Sequence, residues 1–269
     1  MKKIIYVILL VSFISGIYFY TQQPEKIAIG DFAGSKQLEL EVIDFNAVFS
    51  NSSDQHVHIF LEGYNITPNQ IKIVEENGKL LVTSLKQSGF VHLRKTPNLI
   101  IQLPSAVEKT FITSKNGDIY FHENRLVSLT IQSQTGDINI DSATANTTKL
   151  QTQYGQIKLV DNNFNEANIH SVSGDIFLQG GTGSDYLIQT KNGAIKWLQA
   201  LEIPIAKLQS ETGDIQLAYA SPPISLKSLV VTEGDKKILL KEYNAQTNSI
   251  GEGLNQLKVD SKYGAIVIK

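Results

Sequence analysis

Seven glycines in this chain carry the same phrase, six of them at nearly the same interval. Gly117, Gly136, Gly155, Gly174, Gly193 and Gly213 follow one another at steps of 19, 19, 19, 19 and 20 residues. Around them the text reads Ser114-Lys-Asn-Gly-Asp-Ile, Ser133-Gln-Thr-Gly-Asp-Ile, Thr152-Gln-Tyr-Gly-Gln-Ile, Ser171-Val-Ser-Gly-Asp-Ile, Thr190-Lys-Asn-Gly-Ala-Ile and Ser210-Glu-Thr-Gly-Asp-Ile. Gly264 carries a further copy, Ser261-Lys-Tyr-Gly-Ala-Ile, at the end of the chain. Fixed periodicity of this length marks a fold built from stacked units. The phrase itself reads as a turn: a Ser or Thr hydroxyl bonds the turn backbone, and the glycine three residues on supplies a positive φ. An earlier, looser copy is Glu75-Glu-Asn-Gly-Lys-Leu.

The residues on either side of each turn alternate as strands do. After the glycine come the apolar pairs Ile119/Phe121, Ile138/Ile140, Ile157/Leu159, Ile176/Leu178, Ile195/Trp197, Ile215/Leu217 and Ile266/Ile268. Before the turn, Ile112, Ile131, Leu150, Ile169, Ile188, Leu208 and Val259 form another apolar column. Such columns are buried together only if successive units stack at the spacing of paired strands, about 4.8 Å. Nineteen residues are too few for strand, crossover helix and return strand, so βαβ units are excluded. The expected fold is all-β: a single β-solenoid of roughly 19-residue coils, with two or three short strands per coil. Next to the Ser/Thr column lies a polar one: Thr113, Gln132, Gln151, His170, Gln189, Gln209 and Asp260. Stacked amides in such a column can bond to one another as a ladder, and the same face is a possible glycan contact.

The periodicity divides the chain. Residues 111–269 form the regular solenoid, interrupted by an insert at 222–253 that contains Val230-Val-Thr-Glu-Gly-Asp. Residues 27–110 read as irregular β rungs, because Leu38-Glu-Leu-Glu-Val, Val57-His-Ile-Phe-Leu and Leu99-Ile-Ile-Gln-Leu-Pro are strand-like but out of register with the phrase. The final strand, Ala265 to Lys269, has no cap after it in the sequence. The insert, with its two adjacent prolines and charged Glu233-Gly-Asp-Lys-Lys237 tip, is expected to fold over that edge; the alternative is an open edge that pairs with another copy.

Residues 1–26 do not belong to this pattern. Lys2 and Lys3 precede an uncharged run from Ile4 to Tyr20. Seventeen helical residues span roughly 25 Å, enough to cross a bilayer core. Lysines ahead of the run keep the N-terminus in the cytoplasm and place the remainder outside. The run ends in Ile17, Tyr18, Phe19 and Tyr20, which suits an uncleaved anchor better than the small residues of a cleavage site. Secretion after signal-peptide cleavage is the alternative.

A strand-rich start, the phrase Asn98-Leu-Ile-Ile-Gln-Leu-Pro and the repeated Ser-x-x-Gly-Asp-Ile resemble the bacterial "putative adhesin" β-strand-repeat family, over most of residues 27–269. The resemblance implies an envelope-associated β-solenoid of unknown biochemical role, some of whose relatives sit near envelope-stress systems. It brings no catalytic residues with it.

The chemistry expected of the chain is correspondingly sparse. There is no cysteine, which removes disulfides, thiolate metal sites, cysteine nucleophiles and lipoprotein attachment together. The formal net charge is −2 and Arg94 and Arg125 are the two arginines, so the cationic footprint of a nucleic-acid binder is missing from the linear sequence. The column Asp118, Asp137, Asp175 and Asp214 invites a calcium reading, but it is interrupted by Gln156 and Ala194 and reads better as turn-shaping. His56 and His58 share a strand face with no third ligand in sight. The run Gly180-Gly-Thr-Gly-Ser-Asp lacks the lysine of a phosphate loop and reads as a turn. No cofactor is expected. The expected function is a non-catalytic, membrane-anchored binding, scaffold or adhesin-like module, its partner an unidentified envelope protein or glycan. The alternatives are a self-polymerising scaffold and a β-helical polysaccharide-active enzyme with Asp118 and Asp137 as a carboxylate pair.

Overall fold

The computed structural model describes residues 23–85 and 96–269. The proposed anchor at residues 4–20 lies outside the described residues, among which no helix is long and apolar enough to cross a membrane. The strands begin with β1 (Glu25–Ala33), β2 (Gln37–Val42), β3 (Asn46–Asn51), β4 (His56–Gly63), β5 (Ile71–Glu76), β6 (Lys79–Ser84), β7 (Asn98–Leu103) and β8 (Lys109–Ser114). Next come β9 (Ile119–His122), β10 (Arg125–Ser133), β11 (Ile138–Asp141), β12 (Thr144–Thr152), β13 (Ile157–Val160), β14 (Asn163–Ser171), β15 (Ile176–Gln179) and β16 (Asp185–Thr190). The last are β17 (Ile195–Ala200), β18 (Ile205–Ser210), β19 (Ile215–Tyr219), β20 (Leu226–Thr232), β21 (Lys236–Ile238), β22 (Ser249–Ile250), β23 (Asn255–Ser261) and β24 (Ile266–Ile268).

These strands form two sheets of twelve. The first runs β1-β4-β7-β3-β9-β11-β13-β15-β17-β19-β24-β21, and the second β22-β20-β23-β18-β16-β14-β12-β10-β8-β2-β6-β5. Two strands in each have no counterpart at the same level, β1 and β4 in the first and β5 and β22 in the second, which leaves ten two-strand rungs. Rung pairs neighbour one another in parallel, as in β10 on β12 and β11 on β13, whereas β1, β4, β5 and β22 pair antiparallel at the ends. Each regular coil thus has two strands, one in each sheet.

The register carries the columns read from the repeat. Ile112, Ile131, Leu150, Ile169, Ile188, Leu208 and Val259 stand directly opposite one another through the second sheet. Ile119, Ile138, Ile157, Ile176, Ile195, Ile215 and Ile266 do the same in the first. All of these side chains are buried between the sheets in one continuous core. Each full burial contributes about 1.5–3 kcal/mol, repeated rung after rung. Phe49 stacks on Phe121 at 4.2 Å between centroids, and Tyr186 on Trp197 at 5.3 Å. The Trp197 indole N–H and the Tyr186 hydroxyl donate to the carbonyls of Gly180 and Thr182, both at 2.9 Å, so neither aromatic buries an unpaired polar atom.

Both ends depart from chain order. At the C-terminal end β23 and β24 stack directly on β18 and β19, and β20 and β21 stack outside them. The insert therefore contains the outermost rung, and the final strand is an interior one. The expected cover of the C-terminal edge by the insert is what the structure shows, and the open-edge alternative does not hold: β24 is paired on both sides, by β19 and by β21. The terminal rung carries its own version of the repeat phrase, Thr232-Glu-Gly-Asp, one residue short; the Thr232 hydroxyl donates to the Gly264 carbonyl at 2.7 Å. The Glu202 carboxylate accepts the N–H groups of Ile224 and Ser225, at 2.7 and 2.9 Å, and holds the start of the insert. At the N-terminal end the β6/β7 level lies outside β2/β3, although it follows it in sequence. The phrase around Gly78 is not an early repeat turn. It is the hairpin between antiparallel β5 and β6, with Asn77 and Gly78 at φ 52° and 73°, the geometry that favours Asn-Gly.

Candidate functional site

The seven repeat glycines, Gly117, Gly136, Gly155, Gly174, Gly193, Gly213 and Gly264, sit at the corner where each coil passes from the second sheet to the first. None has a positive φ, so the reason assigned to them from sequence needs correcting. A Cβ on Gly136 would collide with the carbonyl of Gly117, one on Gly155 with that of Gly136, and so on to Gly264 over Gly213. Glycine is required because the turns stack backbone on backbone. The left-handed conformation belongs to the opposite corner, at Glu123, Ser142, Asp161, Gly180 and Gln199. The glycine-rich run from Gly180 is one of these corners.

The polar groups of the repeat turns are occupied in holding the stack. The Ser114 and Ser133 hydroxyls donate to the carbonyls of Gly117 and Gly136 at 2.8 and 2.9 Å. Thr152 accepts the Gly155 N–H at 3.0 Å. Asp118, Asp137, Asp175 and Asp214 each accept, through Oδ1, the backbone N–H of the residue one coil on: Asp137, Gln156, Ala194 and Ala265, at 2.7–2.9 Å. Asp118 and Asp137 therefore spend an oxygen each on the backbone. No group of three or more His, Asp or Glu among the described residues is placed to share an ion. In the neighbouring column the Gln189 amide donates to Gln209 at 2.6 Å, one link of the ladder.

His56 and His58 lie on β4. His58 is bonded through both ring nitrogens to carboxylates, Nδ1 to Asp31 at 2.5 Å and Nε2 to Asp54 at 2.9 Å. The Asp31 contact is the leading cause of a raised His58 pKa. The Asp54 carboxyl is pulled down to about 2, first by the His56 backbone N–H. The cluster ties β1, the strand that follows the apolar segment, to β4.

The larger surface feature is on the outer face of the second sheet. In β12 and β14 the in–out alternation slips by one residue, leaving Asn146 and Thr147, and Asn165 and Glu166, exposed in succession. Beside this slip runs an open hollow of about 360 Å³, with Thr130, Lys149, Asn168, Leu187 and Lys207 along one wall and Glu166 and Asp185 on the other. A second hollow, of about 420 Å³, continues it at the C-terminal end, and Lys207 lines both. Together they cross from β10 to β20, six steps of the sheet or roughly 29 Å. Lys207, Lys227 and Lys258 line the second hollow, with Leu229, Asn248 and Gly253. These lysines are far apart in sequence, which is why no basic cluster is visible there. The signal was nonetheless present in the repeat register: Lys149, Lys207 and Lys258 each stand one residue before the buried column of Leu150, Leu208 and Val259.

Comparison with known proteins follows the architecture. A family model described as Toastrack DUF4097 matches residues 35–269. Among solved structures, a "putative adhesin" from Parabacteroides merdae is similar at 16% identity, with a TM-score of 0.56, covering 92% of this chain and 96% of the other. One from Parabacteroides distasonis has 11% identity and a TM-score of 0.53, covering 91% and 96%. Another from Bacteroides fragilis has 16% identity and a TM-score of 0.50, covering 93% and 98%. No curated protein sequence matches the chain.

Proposed function

Since the chain belongs to the Toastrack DUF4097 family, we propose that it is a non-catalytic binding and scaffold module of the cell envelope, anchored in the membrane through residues 4–20 and displaying its two-sheet stack outside. The observation that carries the reading is the long open groove on the outer face of the second sheet, flanked by stacked polar side chains at fixed intervals. A rigid, regularly spaced face suits an extended partner. The carboxylates of the repeat turns, by contrast, are engaged with backbone N–H groups, which favours a structural use over general acid–base work. The fold shared with proteins described as adhesins supports an envelope role. The Lys2/Lys3 flank supports the outward orientation. A part in envelope-stress response is supported by the family resemblance.

Two measurements test this. External protease added to intact spheroplasts is expected to digest the stack; protection until lysis would refute the orientation. A pull-down from membranes with residues 26–269 is expected to retain an envelope glycan or protein. Retention of nothing above a charge-matched control would refute the binding role.

A further inference from the structure

We propose that the groove on the outer face of the second sheet binds a phosphodiester-linked polyol polymer, with Lys207, Lys227 and Lys258 forming its anion subsite. Lys207 and Lys258 are directly opposite each other on the parallel strands β18 and β23. Like charges in that relation destabilise a sheet. Among the described residues neither forms a close ion pair, the lysine pairs being Lys36–Glu108, Lys79–Glu39 and Lys241–Glu242, and the carboxylates nearest in the groove, Asp185 and Glu166, line the first hollow on the far side of Lys207. Lys227 faces the same hollow, and its ammonium donates to the Thr247 carbonyl at 2.7 Å, which fixes it in place. Three cations and no carboxylate thus line one hollow of a chain whose formal net charge is −2. The arrangement is explained by an anion that bridges them.

The composition of the groove narrows the anion. The subsite has lysines and no arginine. Lysine acts as a point charge suited to phosphate, whereas planar carboxylate recognition favours the arginine fork. No aromatic residue lines either hollow, so the stacking platform used for nucleic-acid bases is missing. Leu229 offers apolar surface beside the charges, and Asn248 and Gln256 offer amide partners for hydroxyls. In the continuation of the groove Lys149 stands in the same column as Lys207, three rungs away, with Asn168 between them, so a chain held at the subsite meets a second cation along this wall, away from Glu166 and Asp185 on the other.

The inference rests on the envelope-binding reading for where such a polymer is met, but the site is testable alone. The full-length chain, held in neutral detergent, is titrated calorimetrically with poly(glycerol phosphate). Polygalacturonate and a single-stranded oligonucleotide of equal charge serve as comparisons. Lys207→Gln/Lys258→Gln is expected to weaken binding of the phosphate polymer at least tenfold. Lys158→Gln/Lys196→Gln, with the same change of charge on the first sheet, is expected to weaken it less than twofold. The unaltered chain is expected to bind the polyol phosphate at least tenfold more tightly than either comparison polymer, and to show amide shifts at Gly253 and Lys258 on NMR titration. These shifts decide the matter should the double variant fail to fold. Equal losses in the two variant pairs, equal affinity for the comparison polymers, or unshifted Gly253 and Lys258 amides would overturn the site. The envelope-binding reading would still stand if the pull-down retains a component through another face.

Discussion

Replacing Gly136 by alanine tests why the repeat keeps its glycine. At an ordinary φ this substitution stabilises by about 0.4–1 kcal/mol through the unfolded chain. Here the added Cβ meets the carbonyl of Gly117 and the nitrogen of Asp118, which are backbone atoms and cannot rotate away. The turn must lift from the one beneath it. That weakens the bonds from Gln134 N–H to the Ser114 carbonyl (2.9 Å), Thr135 N–H to the Lys115 carbonyl (3.1 Å) and Asp137 N–H to Asp118 Oδ1 (2.9 Å). At about 1 kcal/mol each, with overpacking strain of about 1–3 kcal/mol and less the gain through the unfolded chain, the net destabilisation comes to about 3–6 kcal/mol. Gly78 provides the contrast, since its φ is 73° and nothing lies within 4 Å of its would-be Cβ. Gly78→Ala should cost roughly 1 kcal/mol and Gly78→Asn less, because asparagine tolerates that conformation. Asparagine at 136 should be at least as damaging as alanine. Urea unfolding followed by circular dichroism and by the buried Trp197 reports all four variants. Gly136→Ala within about 1 kcal/mol of the parent, or Gly136→Asn clearly milder than Gly136→Ala, would show that backbone stacking is not the reason.

Two further outcomes are expected. The raised His58 pKa means that its contribution to holding β1 against β4 is complete below the unfolded value and is lost as pH rises through the folded one. Asp54 works in the opposite sense, its share being lost only as pH falls through about 2. An NMR titration of the His58 ring should give a midpoint above that of an ordinary histidine, moving down in Asp31→Asn; an unshifted midpoint would exclude the lock. Deleting residues 224–250 with a short Gly/Ser bridge removes β20, β21 and β22 and bares β23 and β24. Light scattering should then show concentration-dependent assembly, whereas a monomer as stable as the parent would rule out a protective role for the terminal rung.

The interior of the fold was legible because each buried column is a run of like residues at one repeat position. Ile131 above Ile112, or Ile138 above Ile119, follows from spacing alone. What spacing does not carry is the order of rungs where long connections allow a choice. Thr232-Glu-Gly-Asp is a repeat turn with one residue deleted, so it falls out of register with the others. Its position beyond residues 255–268 is set by pairing of Leu226–Thr232 with Asn255–Ser261 rather than by any local signal. The left-handed corner carries no such signal, because Glu123, Ser142, Asp161 and Gln199 share a conformation and no side-chain type. The lysine hollow was legible only in part. Lys207 and Lys258 fall in one column, but Lys227 joins them through the displaced rung.

The interior placement of β23 and β24 gives the stack an unusual dependence on residues 255–268. In a stack laid down in order, losing the C-terminus removes the top layer and leaves everything below intact. Here Asn255–Ser261 and Ile266–Ile268 lie between β18/β19 and β20/β21. Clipping them opens a gap one layer deep and strands the cap that precedes them in sequence. During synthesis the same order makes the cap emerge before the layer it is to rest on, so the stack can be closed only after residues 255–268 have been made. Coils duplicated between β8 and β19, by contrast, would lengthen the array without disturbing either displaced level.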